Sequence, residues 1–311
     1  MKKSVFILMI SIFMEFSFAQ NNEGQILKNK FNKDSISVLD FYRQYSPYTD
    51  PGEYAYLYKN LPDSLPELCH LIRSQFIHPY AELPKYRDII PKERWDESVN
   101  YPTVQSILEG LVTYNSSGLT NDRKPEDRLI LGCRENAILL ASILKYRGIP
   151  ARVRSGHVTY LRPGFHLSHT ICEVWNEHKN RWMLVDPSMV KIDFSREQFD
   201  FSNELWLKLH NKEINPDQYG FPGRYSGFVS IVGKVCPDLA SILGTEYPVH
   251  HYAPILDYAF ENNDQLSDEH IETLNRISEL MKSIDAENFS KLRDIYINTP
   301  QIQITKQFSS Q

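Results

Sequence analysis

A chain of 311 residues, 41% hydrophobic and 12% aromatic, can bury one sizeable core, and its length suits a single large domain with an elaborated tail. Its formal charge of −5, from 34 basic and 39 acidic side chains, argues against the dense positive surface of a nucleic-acid partner. Four widely spaced cysteines without a Cys-x-x-Cys pair exclude a small disulfide-stapled scaffold and the usual structural zinc pattern.

The chain opens with Lys2-Lys3, an apolar run from Val5 to Met14, and Ser17-Phe18-Ala19 before a polar stretch. That is the pattern of a secretory signal peptide spanning residues 1–19. The apolar run is shorter than the ~20 residues a spanning helix needs. The expectation is an exported protein, periplasmic or extracellular, without stable membrane insertion after cleavage. In an oxidising compartment Cys69 and Cys236 could pair, although sequence does not fix connectivity. A catalytic cysteine there has to stay reduced.

Residues 20–60 read as an N-terminal extension in which Pro47, Pro51 and Gly52 interrupt any long helix. Within a core of 61–195, Leu65, Leu68, Leu71 and Ile72 predict a helix from Ser64 to Gln75, capped by Asp63 or Ser64. Phe76 to Pro102 carries Pro79, Pro84, Pro91 and Pro102 and reads as an ordered loop. Thr103 is placed to cap a helix through Ile107, Leu108 and Leu111. Cys133 to Arg147 is apolar nearly all round, which predicts a buried helix. Gly148 suits its left-handed cap, and Pro150 prevents continuation. Strands are predicted over 151–161, 170–175 and 181–185, the last two joined by the polar turn Glu177-His178-Lys179-Asn180. Residues 196–311 form a mainly helical extension packed on the core. In it Ile271, Leu274, Ile277, Leu280 and Met281 share one face of a helix behind Ser267 and Asp268. Residues from Gln303 are polar and expected to fray.

Three residues carry the chemistry: Cys133 at the start of the buried helix, His169 on one strand, and Asp186 at the end of the next. A helix N-terminus favours a thiolate, an imidazole can serve as its proton partner, and a carboxylate can orient that imidazole. These residues sit in text that resembles the transglutaminase-like superfamily of papain-type cysteine enzymes. The matching stretches are Gly132-Cys133 with its apolar helix, Tyr146 to Gly156, His169-Thr170-Ile171-Cys172-Glu173-Val174-Trp175, and Arg181 to Pro187. The resemblance spans roughly residues 60–195 and looks closest to a secreted bacterial branch. It implies an α+β fold with a central helix on an antiparallel sheet, and a Cys133–His169–Asp186 triad. The residue after the nucleophile, often aromatic in transglutaminases, is Arg134 here, and Ser168 precedes the histidine.

His157 and His166 compete with His169 for the role of base, but neither stands in the motif position. Glu173 shares the strand face of His169 and could contact substrate or pair with Arg152 or Arg154; Cys172 faces the other way. An oxyanion hole needs the Cys133 amide and a second donor. Asp127 cannot donate when ionised; Trp95, the only upstream tryptophan, is a candidate by resemblance, with core packing as its ordinary role. The spacing of His157, His166, His169 and Cys172 does not suit a structural zinc site, and the sequence predicts no metal and no cofactor. The expected function is cysteine-dependent acyl transfer at amide bonds of a protein or peptide-like substrate, as protease, amidase or transglutaminase. The alternative is a non-catalytic domain that binds protein or glycan in the same cleft. An intracellular deglycosylating amidase of the same superfamily is disfavoured by the signal peptide and the missing Cys-x-x-Cys pairs.

Overall fold

The structure is a computed structural model that describes residues 37–308. Residues 1–19, expected to be a signal peptide, and residues 20–36 lie outside the described residues. From Val38 onward the chain forms one compact unit of mixed α+β architecture, with helices packed on a mainly antiparallel sheet.

The core is built around helix α4. In chain order it follows α1 (Val38–Arg43), α2 (Leu65–Ser74), β1 (Phe76–Ile77), α3 (Val104–Tyr114) and β2 (Leu129–Ile130), and it spans Cys133–Tyr146. Its residues from Arg134 to Lys145 are all buried, as their apolar composition predicts. Both ends are fixed by backbone chemistry. The Gly132 amide, orphaned at the helix start, donates to Glu135 Oε2 at 3.0 Å. At the other end Ile149 N–H reaches Leu144 O and Gly148 N–H reaches Lys145 O, both at 2.9 Å, a Schellman closure made possible by Gly148 at φ +73°. Leu68, Ile72, Leu108 and Leu111 from α2 and α3 pack with Ile138, Leu139 and Ile143 in one apolar cluster. Truncating any of these to alanine costs about 2–5 kcal/mol. Thr103 caps α3 as predicted, in a reciprocal capping box with Ser106.

The main sheet runs β6-β5-β4-β3-β7. Its strands are β3 (Ala151–Val158), β4 (His166–Asn176), β5 (Arg181–Asp186), β6 (Lys191–Ile192) and β7 (Phe199–Phe201). β3 ends earlier than predicted and β4 begins earlier, so His166 lies on a strand. The β3–β4 register sets Gly156 opposite His169 and Arg152 opposite Glu173. Gly156 has to be glycine: a Cβ there would meet the Asp200 carbonyl and the Phe199 ring where β7 closes on β3. One face carries Cys172, Val174 and Val185 against α4; Ile171, Leu184, Phe199 and Phe201 form a cluster of their own.

Residues beyond 195 contribute α5 (Ser202–His210), β8 (Tyr219–Phe221), β9 (Tyr225–Ser226), α6 (Phe228–Ile242), β10 (His251–Tyr252), α7 (Ile255–Glu261), α8 (Asp268–Leu280), α9 (Ala286–Asn298) and β11 (Lys306–Gln307). Helices dominate this region, but β7 and β8 join the main sheet, antiparallel to β3 and parallel to β4. The C-terminal stretch does not fray at Gln303. Ile302 and Ile304 are buried, Gln303 Nε2 donates to two carbonyls at the end of α9, and β11 pairs with β10. The polarity of this stretch hid two apolar anchors. Phe76–Pro102 is likewise not a plain loop: β1 pairs in parallel with β2, and three short 3-10 turns follow. All four cysteines are free thiols, so Cys69 and Cys236 are unpaired.

Candidate active site

The far edge of β4 is only partly covered. β5 pairs with it from Cys172 onward, and β8 pairs with it at His166 and Leu167. His169 sits in the notch between them. The N-terminus of α4 is brought to this notch by the β1–β2 pair, in which Leu131 N–H donates to Ile77 O at 3.1 Å. The thiol of Cys133, partly exposed at the start of the buried helix, lies near the His169 ring, and each shifts the titration of the other. His169 Nε2 faces Asp186 Oδ2 at 2.8 Å, which leaves Nδ1 for the sulfur side.

Asp186 is fully buried, and its carboxylate is held at both oxygens. Oδ1 accepts from Ser188 Oγ at 2.8 Å and from the Met189 amide at 3.2 Å. Oδ2 accepts from Tyr160 Oη at 2.6 Å as well as facing His169. Asp186 therefore both braces the turn after β5 and orients the imidazole. Burial works against its charge, but His169, Tyr160 and Ser188 outweigh it and hold the carboxyl down at about 2. For His169, burial opposes protonation, yet Asp186 and Cys133 raise it to about 10. For Cys133, burial disfavours the thiolate; His169 and, further off, Lys234 of α6 reverse this and lower the thiol below its ordinary value. Both shifts favour the thiolate–imidazolium form of the pair. The other three thiols are buried and held protonated. Desolvation pushes Cys69 and Cys236 up to about 12 and raises Cys172 as well. Cys172 faces away from the notch, with Sγ donating to Ala137 O at 3.0 Å.

Other residues singled out in the sequence have structural partners. Trp95 donates its indole N–H to Ile90 O at 3.1 Å and packs against the cluster of Ile77, Leu83, Ile90 and Ile130. Its donor is thus occupied. Glu173 lies buried between Arg152 Nε at 2.6 Å and Arg154 Nη1 at 2.8 Å, the pairing its neighbours on β3 suggest. His157 Nε2 pairs with Ser230 Oγ and His166 Nδ1 with Asp200. Arg134, the departure after the cysteine, ties α4 to the Pro102 and Glu246 carbonyls and to Glu135. Among the described residues no group of three or more His, Cys, Asp or Glu side chains is placed to hold a metal ion, and no helix is long and apolar enough to cross a membrane.

Sequence reading missed His78. It directly follows Ile77, whose carbonyl anchors Leu131, so the β1–β2 pairing brings it to the start of α4, within electrostatic reach of His169 and Glu135. The amides of Tyr80 and Ala81 both lie 3.2 Å from its Nδ1. Two backbone donors on Nδ1 assign the ring proton to Nε2, making that nitrogen a donor. Burial and the charge of His169 lower its pKa, which keeps the ring neutral. The only sequence signal was a histidine in a Pro-rich segment. Tyr80 stacks edge-on with Phe221 at 5.1 Å, and Arg224 lies 4.0 Å over Tyr80, so the β8–β9 hairpin meets this segment.

Comparison with protein-family models, curated proteins and solved structures finds no match to this chain.

Proposed function

We propose that this protein is a cysteine-dependent acyl-transfer enzyme acting on amide bonds of a protein or peptide-like substrate, with a fold of the transglutaminase-like, papain-type kind. The observation that carries the reading is the convergence of Cys133, His169 and Asp186: a thiol at a helix N-terminus coupled electrostatically to an imidazole that lies 2.8 Å from a buried carboxylate. Cys133 at the start of α4, His169 within β4 and Asp186 at the end of β5 follow the chain order that the resemblance implies.

In this mechanism the Cys133 thiolate attacks the amide carbonyl, and the oxyanion is met by the Cys133 backbone N–H. His78, with its Nε2–H, is the proposed second donor in the place first assigned to Trp95. The His169 imidazolium gives its proton to the leaving amine, so an acyl-enzyme remains on sulfur. Water or a second amine then attacks the thioester, His169 takes up the nucleophile's proton, and the thiolate is regenerated. Asp186 stays ionised throughout and orients the ring. The signal-peptide pattern at residues 1–19 supports an activity outside the cytoplasm.

The test is to incubate the protein with amide and ester peptide substrates and weigh it intact. The expected result is a mass increase equal to the acyl group, located on Cys133 and discharged by added primary amine or by water. Which of the two discharges it faster separates transferase from hydrolase. Rapid alkylation of Cys133 by iodoacetamide without any acyl-enzyme across such substrates would instead favour a non-catalytic binding domain.

A further inference from the structure

A second concavity lies away from the notch. It has a volume of about 480 Å³, and its lining comes from β3–β5, the start of α5, and the turn between α8 and α9. Its lining holds five cationic side chains, Arg152, Arg154, Arg181, Arg196 and Lys282, against a single carboxylate, Glu173. The outer cations are held from behind by acids that do not line the cavity. Asp193 pairs with Arg181, Glu204 with Arg196, and Glu279 with Lys282.

The floor contains the informative residue. Arg154 spends its donors on Glu173 and, in bidentate fashion, on Asp238. Arg152 does not. Its Nε is bonded to Glu173, while Nη1 is buried without a hydrogen-bond partner. The side chain is 5% exposed. Trp182 and Tyr42 flank the guanidinium at 4.3 Å and 5.1 Å. The Tyr42 hydroxyl lies nearby and donates to Ile242 O at 3.0 Å. A buried N–H of a charged group left without an acceptor is costly, so such a group is ordinarily found with a partner. The walls beside it, Trp182, Leu184, Phe194 and Ile284, are apolar.

We propose that this cavity is a binding site for a small organic anion, an acid whose carboxylate or phosphate meets Arg152 Nη1 while its apolar body lies against Trp182, Leu184 and Phe194. The volume is that of a small-molecule site. An oxyanion supplies the missing acceptor, and the exposed Arg196 and Lys282 draw it in through the field at the rim. The site stands on its own observations and does not depend on the triad.

The test uses the full chain at low ionic strength, titrated calorimetrically with benzoate and with phenyl phosphate, and with benzamide as the neutral control. At least one acid is expected to bind one-to-one, weaken as salt rises, and raise the melting temperature; benzamide should do neither. The stronger of the two acids tells whether a carboxylate or a phosphate is preferred. Arg152→Met removes a partner of the buried Glu173 and so perturbs folding as well as binding, and two surface changes carry the decision. Ser283→Tyr, at an exposed lining position, should abolish binding, and Arg196→Gln with Lys282→Gln should weaken it about tenfold or more. Failure of both acids to bind, equal binding of benzamide, or undiminished affinity in the folded Ser283→Tyr protein overturns the proposal.

Discussion

Tyr160 and His169 converge on one oxygen, Oδ2 of Asp186, at 2.6 Å and 2.8 Å. The tyrosine thus fixes the carboxylate that fixes the imidazole. Tyr160→Phe removes one hydrogen bond to a buried charge, an interaction worth about 1.5–3 kcal/mol. The expected result is a stability loss of that order in urea unfolding, with Cys133 still reactive because Ser188 and Met189 continue to hold the other oxygen. An unchanged urea midpoint would remove Tyr160 from the account.

The thiolate–imidazolium pair sets a pH window. Cys133 is lowered and His169 is raised to about 10, so both charges coexist between the depressed thiol pKa and about 10. Iodoacetamide should therefore label Cys133 rapidly at near-neutral pH, slowing only as pH falls through the lowered thiol value. The other three cysteines, buried and raised, should react only on unfolding. Asp186→Asn removes the carboxylate that sustains the imidazolium. Cys133 alkylation should then move toward the pH range of an ordinary thiol, and turnover should fall by up to about four orders of magnitude. Peptide mapping after brief alkylation decides this, and early labelling of Cys172 would reverse the assigned strand faces.

The central helix was legible in the sequence because every level agreed: an apolar run, a glycine in the left-handed position and a proline stop. Asp186 and His169 were legible as the ends and faces of strongly patterned strands. Glu173 left two readings open because strand parity gives a face and not a partner; the residues across the register, Arg152 and Arg154, decided it. β7 and β8 were not legible, since three-residue strands carry no periodicity and owe their pairing to exposed edges of β3 and β4. His78 was hidden for a related reason. Its position follows from a two-residue parallel pairing between segments far apart in the chain.

Glu173 makes acid stability a readout of the fold. Burial opposes its charge, but Arg152 and Arg154 hold its pKa down at about 2, below the ordinary 4.5. A depressed carboxyl contributes stability that is full above the unfolded value and is lost as pH falls toward the folded one. Stability should therefore decline from about pH 4.5 toward pH 2, with Asp186 adding to the same slope from 3.8. Glu173→Gln should cost about 3–5 kcal/mol near neutrality, because it leaves buried guanidinium charge uncompensated, and should flatten this dependence. Urea unfolding at pH 3, 5 and 7 provides the comparison; equal slopes in both proteins would mean that the carboxylate is not paired in solution.

His78 separates a donor from a packing residue. The Tyr80 and Ala81 amides hold Nδ1, so the proposed role rests on Nε2–H alone. His78→Phe should lower kcat by roughly 10²–10³-fold, the loss typical of one oxyanion donor, with KM little altered. Alkylation of Cys133 by iodoacetamide forms no oxyanion, so its rate should stay near that of the unaltered protein. His78→Gln retains an N–H donor and should recover part of the lost turnover. The paired measurement is informative because a general disturbance of the α4 start would slow alkylation and turnover together. If both rates fell in parallel in His78→Phe, and His78→Gln gave no recovery, His78 would be a support for the nucleophile and not an oxyanion donor.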